Sequence, residues 1–209
     1  MKVDELSITG FLAFIYCSNP KNAPMNGNRP QIDVDLPMPT VLITGGTGTI
    51  GKSLSLALLR KNYKVIILTR DPSAGQPQPG LSYSYWDPGK QKIDSDAFCS
   101  ADHIIHLAGA GVADKRWSKN RKAEIRDSRV KGGELLVHSL KNLPHKINSL
   151  VSSSAIGWYG PDPAVPNPHP FKETDPWAPG FLGETCRDWE NSIAPAGEMT
   201  RLDRKSTRL

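Results

Sequence analysis

The chain has 209 residues, 38% apolar and 22% charged, with a formal net charge of +5. That composition excludes a disordered or fibrous polymer and is enough for one sizeable core. Its three cysteines, Cys17, Cys99 and Cys186, are widely separated, offer neither a disulfide framework nor a metal-ligand spacing, and point to a reducing, cytoplasmic setting with no metal.

Residues 1–37 show no sustained apolar period and become rich in Asn, Pro and Gly from position 19, which predicts a flexible N-terminal extension over 1–38. The apolar run at 11–15 is too short to span a bilayer, and Asp4 and Glu5 spoil the basic flank of a secretory signal, so no membrane segment is expected. A β-branched run at 41–44 then reads as a buried parallel strand. It stops at Gly45-Gly46-Thr47-Gly48-Thr49-Ile50-Gly51, which opens directly into a helical pattern over 49–60. A glycine turn alone is weak evidence, but one between a strand and a helix predicts a dinucleotide site. Gly45 would permit the tight turn, Gly48 would let backbone approach a pyrophosphate, and Gly51 would let the helix lie close on the sheet. Thr47, Thr49 and Ile50 surround the amides that would face the anion.

A second strand over 64–69 ends at Thr69-Arg70, and Arg70 follows Gly51 by 19 residues. In a dinucleotide fold this position reads the ribose. An acid there would repel a 2′-phosphate, whereas Arg70 can pair with one, so NADP(H) is favoured over NAD(H), with the neighbouring Asp71 as the opposing feature. The alternative is an exposed loop arginine. Residues 71–80 are loop and 81–86 a short aromatic strand whose Trp86 belongs either to the core or beside the adenine. A fourth strand over 102–107 runs into Ala108-Gly109-Ala110, so that Leu107, Ala108 and Gly109 are further cofactor-binding candidates. His103 and His106, alternating with apolar residues, are read as core histidines rather than ligands.

Residues 115–131 hold eight basic side chains against Glu124 and Asp127. A solvated helix face is the first reading, an anionic substrate or cofactor the second, and nucleic acid the last. Ser118 should cap a helix through residue 140, buried through Ile125, Val130, Leu135, Leu136 and Leu140. Gly132-Gly133 inside it should cost about 1 kcal/mol each relative to alanine, which implies either close approach to the sheet or cofactor, or a break in the helix. A fifth strand over 147–152 leads into a hydroxyl cluster, Ser152-Ser153-Ser154, at the end of the sheet where such folds place their chemistry. After a Pro-rich loop, 181–193 is an amphipathic helix. The polar, basic tail 197–209 carries no apolar period and is expected to be disordered or non-native. The predicted fold is α/β, a Rossmann-type doubly wound parallel sheet over 39–196 in the order 3-2-1-4-5.

Six ordered motifs carry a family resemblance: the Thr44 to Gly51 turn, His106-Leu-Ala-Gly-Ala110, Arg116-Trp117, Ser128-Arg129-Val130, residues 152–160, and Phe181-Leu182 with Trp189-Glu190. Over 39–194 they resemble the extended short-chain dehydrogenase/reductases, in the nucleoside-diphosphate-sugar epimerase-like branch known as epimerase family proteins. The resemblance implies an NADP(H)-binding oxidoreductase or epimerase acting on a sugar-nucleotide or carbonyl substrate. In the wider superfamily a serine after the fifth strand works with a Tyr-x-x-x-Lys pair, the tyrosine as acid/base and the lysine lowering its pKa. Ser154 matches the serine. Aligned through Glu190, however, the tyrosine position falls on Leu182 and the lysine on Cys186. Tyr159 and Glu173 are the substitutes considered. Family members continue into a sixth strand and a small substrate-binding region, so the C-terminal substrate region is expected to be missing and turnover slow or absent. The rival reading, favoured by the absent pair, is a non-catalytic dinucleotide-binding sensor or interaction module.

Overall fold

The computed structural model describes residues 38–165 and 168–207; the extension expected over 1–37 and the last two residues of the tail lie outside them. Among the described residues, seven strands form one sheet. They are β1 (Thr40–Thr44), β2 (Lys64–Thr69), β3 (Leu81–Asp87), β4 (Lys92–Ile93), β5 (His103–His106), β6 (Ser149–Ala155) and β7 (Arg201–Thr207), in the spatial order β4-β3-β2-β1-β5-β6-β7. All pairs are parallel except β3 with β4, a short hairpin at one edge. The α-helices among the described residues are α1 (Thr49–Arg60), α2 (Ser95–Ser100), α3 (Lys119–Asn142) and α4 (Phe181–Ile193).

The β1 apolar run is buried on both faces, as a central parallel strand requires. Val41 and Ile43 pack with Leu54 and Leu58 of α1, Ile67 and Ile105. Leu42, pointing the other way, packs with Phe98 of α2, Leu136 of α3, Ile104, Leu150 and Ile193 of α4. The strand period of two thus feeds two layers. Trp86 sits in the second layer, 3% exposed, so the core reading of this residue holds.

The structure decides three points, two of them as corrections and one, at Gly132-Gly133, as a choice between open alternatives. The tail is not disordered over its described length: Arg201–Thr207 is a sixth parallel strand, paired along all seven residues of β6 from Ser149↔Arg201 to Ala155↔Thr207. An edge strand is held by its backbone ladder and by charge, and needs little apolar periodicity. Here Leu202 packs on the core, while Arg204 pairs with Glu190 at 3.2 Å. The domain therefore runs past residue 196. Second, α3 is unbroken through Gly132-Gly133. A Cβ on Gly132 would lie 3.0 Å from the His106 ring, and one on Gly133 would overlap Ser192 of α4, so close approach to sheet and helix accounts for both. Ser118 caps α3 as expected, accepting the Arg121 N–H at 3.2 Å. Third, the basic segment is not wholly solvated, because Arg121 is buried and Arg129 half-buried.

Both histidines of β5 are buried, as expected of core side chains. His106 is enclosed between Trp86 and Trp189, and burial, with the Arg129 charge adding to it, lowers its pKa from 6.5 to about 4. Its Nδ1 lies 2.7 Å from the Thr44 hydroxyl, whose oxygen also accepts the Leu107 and Ala108 N–H groups. With two amides donating to it, the hydroxyl gives its proton to Nδ1, which places the imidazole proton on Nε2.

This buried neutral imidazole makes stability depend on pH. Between its folded value near 4 and its unfolded value near 6.5, the unfolded chain binds more protons, so stability is full above the upper value and declines as pH falls through the window. The gap corresponds to about 3 kcal/mol. His103, also lowered by burial, adds to the same slope. His106→Asn keeps an acceptor near Thr44 but does not titrate. In urea unfolding from about pH 7 to pH 4.5 it is expected to be less stable at neutral pH and to show a flatter decline; parallel slopes for the two chains would refute the assignment.

Candidate functional site

The sheet reverses its winding between β1 and β5, so the connections leave in opposite directions and open a crevice at the strand ends. The cleft there is about 570 Å3 and is walled by Gly45 and Thr47 after β1, Thr69 and Arg70 after β2, Asp87 after β3, Ala108 to Ala110 after β5, and one face of α3.

The glycine turn has a local logic. Gly45 has φ +71°, and a Cβ there would come within 2.8 Å of the Leu107 carbonyl carbon and 2.9 Å of the Ala108 nitrogen. Only glycine lets the two strand ends approach so closely. At Gly48 a Cβ would meet only the Gly45 oxygen at 3.4 Å, which leaves that face open. Gly48 also starts α1 without a side-chain cap, and the first turn holds no acid. The amides around Thr49, Ile50 and Gly51 are therefore a ready anion site. Gly51 differs from expectation in one respect: a Cβ there would overlap the Gly45 and Gly46 backbone, so its smallness serves the turn rather than helix-to-sheet contact.

Arg70 is exposed at the cleft rim, with its charge felt by Glu124 across the opening. The competing acid, Asp71, is otherwise engaged. Its Oδ1 accepts the Ser73 hydroxyl at 2.5 Å and the Ser73 and Ala74 amides at 3.1 and 3.3 Å, capping the turn Pro72–Ala74. Those bonds, the Ser73 hydroxyl first, hold its carboxyl below the usual range.

Ser154 is buried near the end of β6, and its hydroxyl donates to Glu190 Oε1 at 2.6 Å. The other oxygen of Glu190 pairs with Arg204 of β7. Tyr159 lies beyond β6, half-buried and stacked on Phe171 at 5.2 Å. Burial first, then the charges of Glu173, Asp175 and Glu190, push its phenol upward. Glu173 itself is exposed. Leu182 and buried Cys186, the two positions aligned with the wider superfamily's pair, line an apolar hollow of about 200 Å3. Burial raises the Cys186 thiol, and its Sγ points to the Ala155 carbonyl at 3.7 Å.

Sequence reasoning missed Arg129, Glu190 and Arg204 as site neighbours. Arg129 stands between cleft and hollow. Its Nη1 donates to the Ala110 and Ile125 carbonyls at 3.0 and 2.9 Å, its guanidinium lies 5.1 Å over the Trp189 ring, and Gly109 is small where it packs against that guanidinium. A signal was present: Arg121 and Arg129 lie four residues either side of Ile125, on the buried stripe of α3. No comparable signal marked Arg204.

The profile of the family described as NAD dependent epimerase/dehydratase matches residues 41–181. An epimerase family protein of Staphylococcus saprophyticus is 36% identical over 149 residues, which cover 71% of this chain and 47% of the relative. One of Mycobacterium leprae is 30% identical over 156 residues, 75% of this chain and 47% of the relative. The chain thus spans about half the length of the curated relatives it matches. Among solved structures, a human epimerase family protein with NADPH superposes with a TM-score of 0.62 at 24% identity, covering 79% of this chain and 52% of that one. MoeE5 in complex with UDP-glucose and NAD gives 0.61 at 23%, with 79% and 52% covered. At those identities the superpositions establish the fold.

The two ends of the glycine turn are expected to respond oppositely to a methyl group. Gly45→Ala meets backbone at a left-handed φ and should lose about 2 kcal/mol or more. Gly48→Ala should lose less than about 1 kcal/mol. Urea unfolding of both variants checks this, and equal losses would mean that the Gly45 contact is not what holds the turn.

Proposed function

From the premise that this chain belongs to the NAD dependent epimerase/dehydratase family, we propose that it binds NADP(H) in the cleft between β1 and β5 and acts as an oxidoreductase or epimerase-like protein on a carbonyl or sugar-nucleotide substrate. The observation that carries this reading is the pairing of two anion sites in one cleft: the uncapped start of α1 beneath the open face of Gly48, and Arg70 at the rim. The first suits a pyrophosphate and the second a 2′-phosphate, while the Asp71 carboxylate is turned into its own loop by Ser73 and Ala74. Ala108 and Gly109 line the opposite wall, with Leu107 packed behind them against the core. When bound, NADP(H) supplies the two-electron redox equivalent that this family's reactions need.

The protein's own acid/base groups in this proposal are Ser154, Tyr159 and Glu173. Ser154 is oriented by Glu190 and offers its oxygen to a substrate hydroxyl. The raised phenol of Tyr159, with Glu173 among its causes, suits a proton donor and makes a poor base at neutral pH. Turnover is accordingly slow, since neither Leu182 nor Cys186 supplies the charge that activates such a phenol. A non-catalytic sensor is the second reading, and the observation favouring it is the apolar hollow at those two positions.

Two measurements test the reading. NADPH should bind more tightly than NADH in fluorescence titration, and Arg70→Asp should narrow or reverse the preference. A charged pair to phosphate is worth roughly 1.5–3 kcal/mol, about ten- to a hundredfold in affinity; equal affinities in the unmutated chain would sink the NADP(H) assignment. In a screen of carbonyl substrates monitored by NADPH consumption, Tyr159→Phe should reduce any turnover by about 10²-fold or more. Tight NADPH binding with no turnover across the screen would favour the sensor.

A further inference from the structure

We propose that the hollow bounded by α3, α4 and the end of β6 is a binding site for a compact apolar carboxylate. As a binding site it stands by itself; a carboxylate is not itself reduced, so only an acid that also carries a carbonyl or hydroxyl group would turn over, and that part alone rests on the reading above.

Size is the first argument. The hollow is about 200 Å3 and is walled by Val112, Trp117, Ile156, Leu182, Cys186 and Trp189. An apolar cavity of about 150 Å3 accommodates a benzene ring, so this one holds a single ring or branched chain with a short head group. A sugar nucleotide is far larger. Trp117, Ile156 and Leu182 remain partly exposed at 42%, 49% and 37%, which makes the hollow open to solvent on that side.

Charge and hydrogen bonding give the head group. Arg129 lines the hollow, half-buried, and no carboxylate pairs with it among the described residues. Its one bonded nitrogen, Nη1, is shared by two backbone carbonyls. Burial pulls its pKa below the ordinary range, the sign of a cation short of compensation. Trp189, 4% exposed, forms an apolar wall of the hollow beneath that guanidinium. Arg129 is a donor only. A carboxylate brings it acceptors and a negative charge, whereas the hydroxyls of a sugar bring no charge. The nearby acid, Glu190, is already held by Ser154 and Arg204, so it does not neutralise Arg129.

The test is calorimetric titration of the whole chain with phenylacetate, its neutral amide phenylacetamide, and UDP-glucose, each with and without saturating NADPH, and with NADPH binding measured separately. Phenylacetate is expected to bind at least about tenfold more tightly than the amide, with or without NADPH, and UDP-glucose to show no binding in the hollow. Arg129→Met should abolish the preference of acid over amide. Leu182→Trp, which fills the hollow from its open side, should block both ligands and decides the matter if Arg129→Met fails to fold. Equal affinity for acid and amide, unchanged binding in Leu182→Trp, or a preference for UDP-glucose would overturn the proposal. Mutual exclusion of phenylacetate and NADPH would assign the hollow to the nicotinamide ring and overturn it likewise. Failure of NADPH to bind while phenylacetate binds would instead defeat the cofactor reading and leave this one standing.

Discussion

Everything at the candidate site hangs on the approach of two strand ends to less than the width of a methyl group. At Gly45 the chain turns with a left-handed φ so close to β5 that a Cβ would enter the Leu107 backbone. Thr44 closes the gap chemically: one hydroxyl accepts the amides of Leu107 and Ala108 and donates to His106. These are buried bonds, and leaving their partners unsatisfied would cost about 1–3 kcal/mol for each. The clamp sets how far apart the β1 turn and the Ala108 to Ala110 segment stand, and hence the width of the cleft between them. His106 carries the arrangement inward, since its ring is the surface on which Gly132 of α3 rests.

A second constraint fixes the other side. Ser154 is held by β7 twice over, through the ladder that pairs it with Ser206 and through Arg204, which pins the Glu190 carboxylate that Ser154 donates to. The hydroxyl is thereby tied to α4 and the sheet edge together. The same carboxylate contributes to the raised phenol of Tyr159. Glu190 thus binds Ser154 directly and acts on Tyr159 only behind burial, Glu173 and Asp175.

Positive charge is distributed unevenly between surface and interior. Six of the basic residues over 115–131 are exposed, while Arg121 and Arg129 turn inward. Arg121 ties the loop before α3 to the helix, through Gly111, Asp114 and Glu124. Arg129 has only carbonyls and the Trp189 face. Beside Cys186, the position aligned with the wider superfamily's lysine, a cation still stands, contributed by a different helix.

The sequence by itself located the strands of the central sheet, β3-β2-β1-β5-β6, because each is a short β-branched, aromatic or alternating segment bounded by turn residues, and it located the glycine turn, because conformational freedom is a property of the residue. It also located α3 and its Ser118 cap, which are local. Only the tertiary structure decided the rest. β7 is a strand because β6 offers it a free ladder, and a backbone partner 52 residues away leaves no mark on the composition of Arg201–Thr207. Arg129 is a site residue because α3 turns that face toward Trp189, and Asp71 is withdrawn from the cleft because Ser73 lies within reach of it. Burial, the His106 pKa and the apolar character of the hollow are all sums over neighbours distant in sequence. No periodicity in one segment records what another segment will place against it.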